Sequence, residues 1–235
     1  MRYTLLATDY DGTLATDGLV EDEVVQRLRR VRESGLQIVL VTGRELTSLL
    51  NTFAHVDLFD LVVAENGAVL YHPAAQSVEV LAPPPPAALV AALQQGHVPI
   101  SVGHSIIATV RPYEDKMLAA IRALAPDWHV IYNKRAVMAL SAHVNKATGL
   151  FAALQVLNVA SLECVGIGDA ENDLEFMRLC GLAVAVSNAL PEVKTVADVV
   201  LQSAQGAGVV ELADRLIAGE FETFAVTNGG ARDLR

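Results

Sequence analysis

Cysteine is nearly absent from this 235-residue chain, which has only Cys164 and Cys180 and so at most one disulfide. Cys164 lies in an apolar, strand-like run and Cys180 closes a helix-like one. Buried free thiols are the expectation, with a disulfide or metal role as the alternative. Basic residues are also few: 17 Lys and Arg stand against 27 Asp and Glu, for a formal charge of -10. That balance speaks against sequence-independent nucleic-acid binding, which neutralises many phosphates with Lys and Arg. One small anionic substrate is still compatible, because a few basic groups and a metal ion reverse the field inside a pocket. Apolar runs approaching the roughly 20 residues of a membrane span are missing. The first residues run into an Asp-rich turn without building the apolar stretch and cleavage site of a signal peptide. No membrane partner and a cytoplasmic location are therefore expected. Five of the histidines, His55, His72, His97, His129 and His143, lack metal-ligand spacing and read as structural or surface groups.

Apolar residues are plentiful at 52%, against 19% charged, enough for one large domain or a core with a smaller insert. Short Val-, Ile- and Leu-rich runs alternate with helix patterns. Strands are expected at 3–8, 37–42, 61–64, 163–167, 182–186 and 199–201, with 68–71 following the Asn66-Gly67 turn. Helices are expected at 21–34, from Arg44, from Lys146, from Glu171, from Pro191 and at 209–217. This is the pattern of an α/β protein with a doubly wound, mainly parallel sheet covered on both faces. It is interrupted after the stiff run Pro83–Pro86. Helix, hairpin, helix, hairpin then follow, with helices at 87–95 and 112–125 and strand pairs at 99–102 with 105–110 and 129–132 with 136–140. The expected division is a core at 1–81 and 142–218, a small α+β insert at 82–141, and a tail or linker at 219–235.

The chemistry concentrates at strand ends, where ligands bind in a doubly wound sheet. Asp9-Tyr10-Asp11-Gly12-Thr13-Leu14 closes the first strand. Its two carboxylates leave on the same side, so one can serve as nucleophile while the other handles a leaving-group proton. Gly168-Asp169-Ala170-Glu171-Asn172-Asp173 ends another strand. A dinucleotide fingerprint would need Gly or Ala where Glu171 stands, whereas acidic groups at strand ends suit a hard cation such as Mg2+. Thr42-Gly43-Arg44 offers a hydroxyl and backbone N–H groups near a helix N-terminus, a natural phosphate cradle. Lys146 heads a helix, where the dipole disfavours a cation. Taken singly, each has a plainer reading: an Asp-Gly turn, a helix cap at Asp169, a local partner at Asp173, a surface lysine.

Jointly and in this order, the four signals resemble the motifs of the haloacid dehalogenase-like phosphatase superfamily. The insert resembles the type-IIB cap of the Cof-like phosphatases, and Asp60–Ala68 is similar to the segment preceding that cap. The resemblance implies Asp9 as nucleophile forming an aspartyl-phosphate and Asp11 as general acid and base. It implies Mg2+ held by Asp9, the Asp11 carbonyl and Asp169, with Asp173 in support. Thr42, Gly43, Lys146 and Asn172 would bind and orient the phosphoryl group. Substrate choice would fall to the cap, with His104, Lys134 and Arg135 as candidates and Arg44 and Asn66 contributing from the core. The short cap is more similar to the small phosphoglycolate-type phosphatases than to larger sugar-phosphate ones. The implied partner is a small phosphate ester, with monomer and homodimer both open. A phosphomutase of the same chemistry, or a non-catalytic phosphate-sensing module of a larger assembly, are the alternative readings. An acid at Asp11 disfavours dehalogenases, since a halide leaves without a proton. It also disfavours P-type ATPases, which carry Thr there. Response-regulator receivers are about half this size.

Overall fold

The computed structural model describes residues 2–222; the expected tail therefore lies outside the described residues from 223 onward. In chain order the first half-core comprises β1 (Leu5–Thr8), α1 (Asp22–Glu33), β2 (Gln37–Val41), α2 (Leu46–Thr52), β3 (Leu61–Ala64), β4 (Val69–His72) and β5 (Ser77–Val80). The middle segment comprises α3 (Ala87–Gln95), β6 (Ser101–Val102), β7 (Ile107–Val110), α4 (Glu114–Leu124), β8 (Trp128–Asn133) and β9 (Ala136–Ser141). The chain returns with α5 (Lys146–Leu157), β10 (Cys164–Gly168), α6 (Leu174–Leu179), β11 (Leu182–Ala185), α7 (Pro191–Val196), β12 (Val199–Val200) and α8 (Gln205–Ile217).

Eight strands form one sheet in the order β12-β11-β10-β1-β2-β3-β4-β5. The first six run parallel, and β4 and β5 are added antiparallel at one edge. The fold is α/β with a mainly parallel sheet, as the alternating pattern implies. Strands β1, β2, β3, β10 and β11 are almost wholly buried, which is why they read as continuous apolar runs. β1 sits between β2 and β10, so the direction in which strands are added reverses beside it. Its carboxyl end is the crevice where doubly wound sheets bind ligands.

A second sheet of four antiparallel strands, ordered β6-β7-β9-β8, arises from the middle segment. The two expected hairpins thus share one sheet, joined through β7 and β9. Leu89, Leu93, Met117 and Ile121 of α3 and α4 pack with Ile107, Trp128, Ala139 and Leu140 as a separate apolar cluster.

Several boundaries differ from expectation for local reasons. β5 is unforeseen, because all four of its residues are exposed at the sheet edge and carry no burial pattern. α8 begins at Gln205 instead of Val209. Gly206 and Gly208 weaken the helix signal there, yet a Cβ on Gly206 would lie 2.7 Å from Val24 Cγ2, so close packing against α1 demands the small residue. The helix expected from Glu171 opens as a 3-10 turn over Glu171–Asp173 before α6. That expected from Arg44 starts at Leu46, because the backbone of Glu45 before it is extended, at ψ 138°. Cys164 and Cys180 are free and buried, with sulfurs 3.4 Å apart. Among the described residues no helix is long and apolar enough to cross a membrane.

Candidate active site

Register alone brings the first groups together. Parallel pairing sets Thr8 beside Ile167 and Leu40, so Asp9, Asp169 and Thr42 emerge from adjacent strands at one sheet edge. Lys146 arrives from above, at the first turn of α5, which Asn145 caps by accepting from the Thr148 N–H at 2.9 Å. The helix crosses very close to the turn after β3. A Cβ on Gly67 would lie 1.9 Å from the Asn145 carbonyl, and one on Gly149 only 2.4 Å from Gly67 Cα. Those two glycines let α5 drop to the depth at which Lys146 reaches the sheet edge.

Lys146 is fully buried, and its Nζ donates to Asp9 Oδ1 at 2.5 Å and to Asp173 Oδ1 at 2.6 Å. Burial opposes its charge, but Asp173 and Asp9 outweigh burial and hold the ammonium above its ordinary range. Asp9 is pushed well above the usual carboxylate range, first by burial and then by the charge of Asp173, with Lys146 pulling the other way. Asp173 is anchored from behind, because its Oδ2 accepts from the Asp169 and Ala170 N–H groups at 2.8 and 2.9 Å. Asp173 therefore pairs locally through Oδ2 while its Oδ1 meets Lys146, and Asp169 turns its oxygens to Thr13 and Lys134 instead of to a helix cap.

Asp9, Asp169 and Asp173 each offer an oxygen within 4.8 Å of the others, and all three are buried. The outer oxygen of Asp9, Oδ2, is buried without a hydrogen-bond partner. An orphaned carboxylate oxygen in an all-oxygen cluster fits a hard divalent cation. The Asp11 side chain stands apart from this cluster. It takes a two-pronged grip from Arg44, with Nε at 2.7 Å and Nη2 at 2.6 Å, while the guanidinium lies 4.8 Å over the Tyr10 ring. Arg44 is thus turned toward Asp11 and not held free toward the cleft.

The remaining expected residues divide clearly. Thr42 is buried and its Oγ1 accepts from the Arg44 N–H at 3.1 Å. Gly43 lies so near Asn66 that a Cβ would be 3.1 Å from its Nδ2. Asn172 Nδ2 donates to Asn66 Oδ1 at 2.8 Å, and Asn66 Nδ2 contacts Met138 Sδ of β9 at 3.0 Å. Lys134, at the β8–β9 turn, reaches across and pairs with Asp169 Oδ2, while its N–H donates to Glu171 at 3.3 Å. Asp169 is raised by burial, with the Lys134 contact lowering it and Asp173 raising it further. Arg135 stays exposed, and only its carbonyl is engaged, accepting from the Arg111 N–H. His104, in the turn between β6 and β7, lies against Glu65, its Nδ1 3.2 Å from Oε1.

Three contributors escaped the sequence reading. Asn188 Nδ2 donates to the Gly12 carbonyl at 2.8 Å and steadies the turn after Asp11. Thr13 Oγ1 donates to Asp169 Oδ1 at 3.3 Å. Glu65 is a fully buried carboxylate, and its one advance signal was an acidic residue directly after a buried strand.

The family model for haloacid dehalogenase-like hydrolases matches residues 6–101 and 104–212. A phosphoglycolate phosphatase of Methanothermobacter thermautotrophicus is 31% identical over 218 residues, covering 90% of this chain and 98% of that protein. A second phosphoglycolate phosphatase, of Metallosphaera sedula, is 30% identical over 225 residues, covering 91% of this chain and 99% of that protein. The solved structure of a subclass IIB sugar phosphatase has a TM-score of 0.74 at 18% identity, covering 93% of this chain and 99% of that one. At that identity the likeness is one of fold, and it extends through both sheets.

Proposed function

This chain is an enzyme of the haloacid dehalogenase-like hydrolase family, and from that premise we propose that it is a Mg2+-dependent phosphatase of small phosphorylated metabolites, with Asp9 as nucleophile. The observation that carries the reading is the Asp9 carboxylate itself. One oxygen is tied to Lys146 at 2.5 Å, and the other is buried without a partner beside two further carboxylates. Such a group is fixed in orientation and lacks the water shell that would blunt it.

In the proposed reaction an Asp9 oxygen bonds to phosphorus as the ester oxygen departs, and Asp11 gives that oxygen its proton. Asp11 then takes a proton from water as the water oxygen attacks the aspartyl-phosphate. Inorganic phosphate leaves and the Asp9 carboxylate is restored. For the first transfer Asp11 must be released from Arg44, so the two-pronged pair is the resting arrangement. Thr42 and Gly43 would receive phosphoryl oxygens at the end of β2, and Lys146 would offset their charge, with Asn172 orienting the loop opposite. Asp9, the Asp11 carbonyl and Asp169 would hold Mg2+, with Asp173 behind them; when bound, the ion neutralises phosphoryl charge that would otherwise repel Asp9.

Residues 82–141 are proposed as the cap that selects the substrate. The names of the two relatives favour phosphoglycolate or a similarly small ester over larger substrates. Phosphate release from phosphoglycolate, sugar phosphates and p-nitrophenyl phosphate, with Mg2+ and with EDTA, tests this. Mg2+ binding without turnover on any of them would replace the enzyme reading with that of a phosphate-sensing module.

A further inference from the structure

Glu65 is not among the residues the proposed chemistry uses, yet it is the most thoroughly buried carboxylate outside the acidic cluster. It follows β3 directly and, with Asn66, adopts left-handed backbone, at φ 52° and 53°. Non-glycine residues seldom enter that region, and two in succession mark a segment held by its surroundings. The holding groups come from both sheets. On the core side, the Glu65 N–H donates to the Arg44 carbonyl at 2.9 Å and the Asn66 N–H to the Thr42 carbonyl at 3.0 Å. On the other side, the Glu65 carboxylate takes the turn between β6 and β7. Oε1 accepts from the His104 N–H at 3.0 Å and contacts His104 Nδ1 at 3.2 Å, and Oε2 accepts from the Ser105 N–H at 2.8 Å.

The turn is shaped to admit this carboxylate. A Cβ on Gly103 would lie 2.6 Å from Glu65 Oε1, so any side chain there would push the two apart. Gly103 is not among the residues of positive φ, so close approach, not backbone conformation, calls for glycine. His104 and Glu65 line a cavity of about 360 Å³ with Glu45 and Thr47, next to the Thr42–Arg44 loop.

We propose that Glu65 is a positioning residue that fixes the β6–β7 turn and the His104 ring over the Thr42 side of the cleft, and so sets how the proposed cap closes on the leaving group. A buried carboxylate gripping backbone N–H groups is a directional bond between two separately packed units. It also ties cap placement to the phosphate loop, because Glu65 and Asn66 are bonded to the Arg44 and Thr42 carbonyls. The kinetic part of this inference rests on the phosphatase reading; the structural part stands apart from it.

The test compares the full-length protein with its Glu65→Gln, Glu65→Ala and Gly103→Ala variants. Amide hydrogen exchange at His104 and Ser105 should speed up about tenfold or more in Glu65→Ala and Gly103→Ala, as the N–H groups lose their acceptor. On phosphoglycolate, kcat/KM should fall about tenfold through KM, while kcat on p-nitrophenyl phosphate stays within about twofold, with Glu65→Gln intermediate. Unchanged exchange in both variants overturns the proposal. Equal losses on both substrates also overturn it, by reducing Glu65 to a structural role. If Glu65→Ala fails to fold, Gly103→Ala disturbs the same contact with the buried charge in place. If wild-type protein hydrolyses neither ester, the phosphatase reading falls while the exchange result still decides the contact.

Discussion

The ammonium of Lys146 and the carboxylate of Asp9 meet at 2.5 Å although 137 positions separate them in the chain. Lys146 is held equally by Asp173, so one cation at the first turn of α5 serves two buried carboxylates from two different strand ends.

Removing that cation should therefore be costly. Lys146→Met leaves Asp9 and Asp173 buried without their partner, and urea denaturation in EDTA should show a loss of about 3–5 kcal/mol. A loss below about 1 kcal/mol would mean that the two carboxylates do not depend on Lys146 for their burial.

Asp9→Asn should separate chemistry from stability. The side chain keeps its shape but cannot bond to phosphorus, so phosphate release should fall by at least about a thousandfold. Because burial and Asp173 already work against the Asp9 charge, the thermal midpoint should move by no more than about 4 °C. Retention of more than a few per cent of activity would remove Asp9 from the role of nucleophile.

Lys134 delivers a positive charge to Asp169, one of the carboxylates proposed to hold Mg2+. Lys134→Met should tighten Mg2+ binding by about threefold to tenfold in calorimetric titration, a modest gain because the lysine is partly exposed. Unchanged or weaker binding would show that the lysine does not compete with the ion.

His129, half-buried on β8, is lowered from its ordinary 6.5 by burial, with a backbone hydrogen bond to Ala142 opposing. As pH falls through about 6.5 the unfolded chain takes up a proton before the folded chain does, so stability is present above that value and lost below it. Replacing His129 with Gln should flatten the decline of the thermal midpoint between about pH 6.5 and 5. A decline as steep as wild type would assign it to other groups.

Much of the core was legible because its cause is local. β1, β2, β3, β10 and β11 are buried on both faces, so each had to be a short apolar run, and the candidate site residues sit where those runs end. Asp9, Thr42 and Asp169 could be named on that ground. β5 could not, since an exposed edge strand imposes no pattern on its residues. Nor could the first turn of α8, where glycines chosen for close packing spoke against a helix.

Contacts between units were beyond the reach of pattern. Arg44 and Lys134 both read as substrate contacts, yet Arg44 is folded onto Asp11 and Lys134 reaches the acidic cluster; Glu65 gave almost no sign of binding the His104 turn. Apolar strand runs and helix periodicity follow from residues a few positions apart, which is why the sequence by itself determined which segments become strands, where their carboxyl ends fall and the order of the motifs. Strand pairing joins residues as distant as Leu5 and Cys164. Which charges meet across the carboxyl edge of the sheet depends on long-range packing, on how deeply α5 drops past Gly67 and where the second sheet comes to rest. Only the tertiary structure decided that Lys146 lies against Asp9.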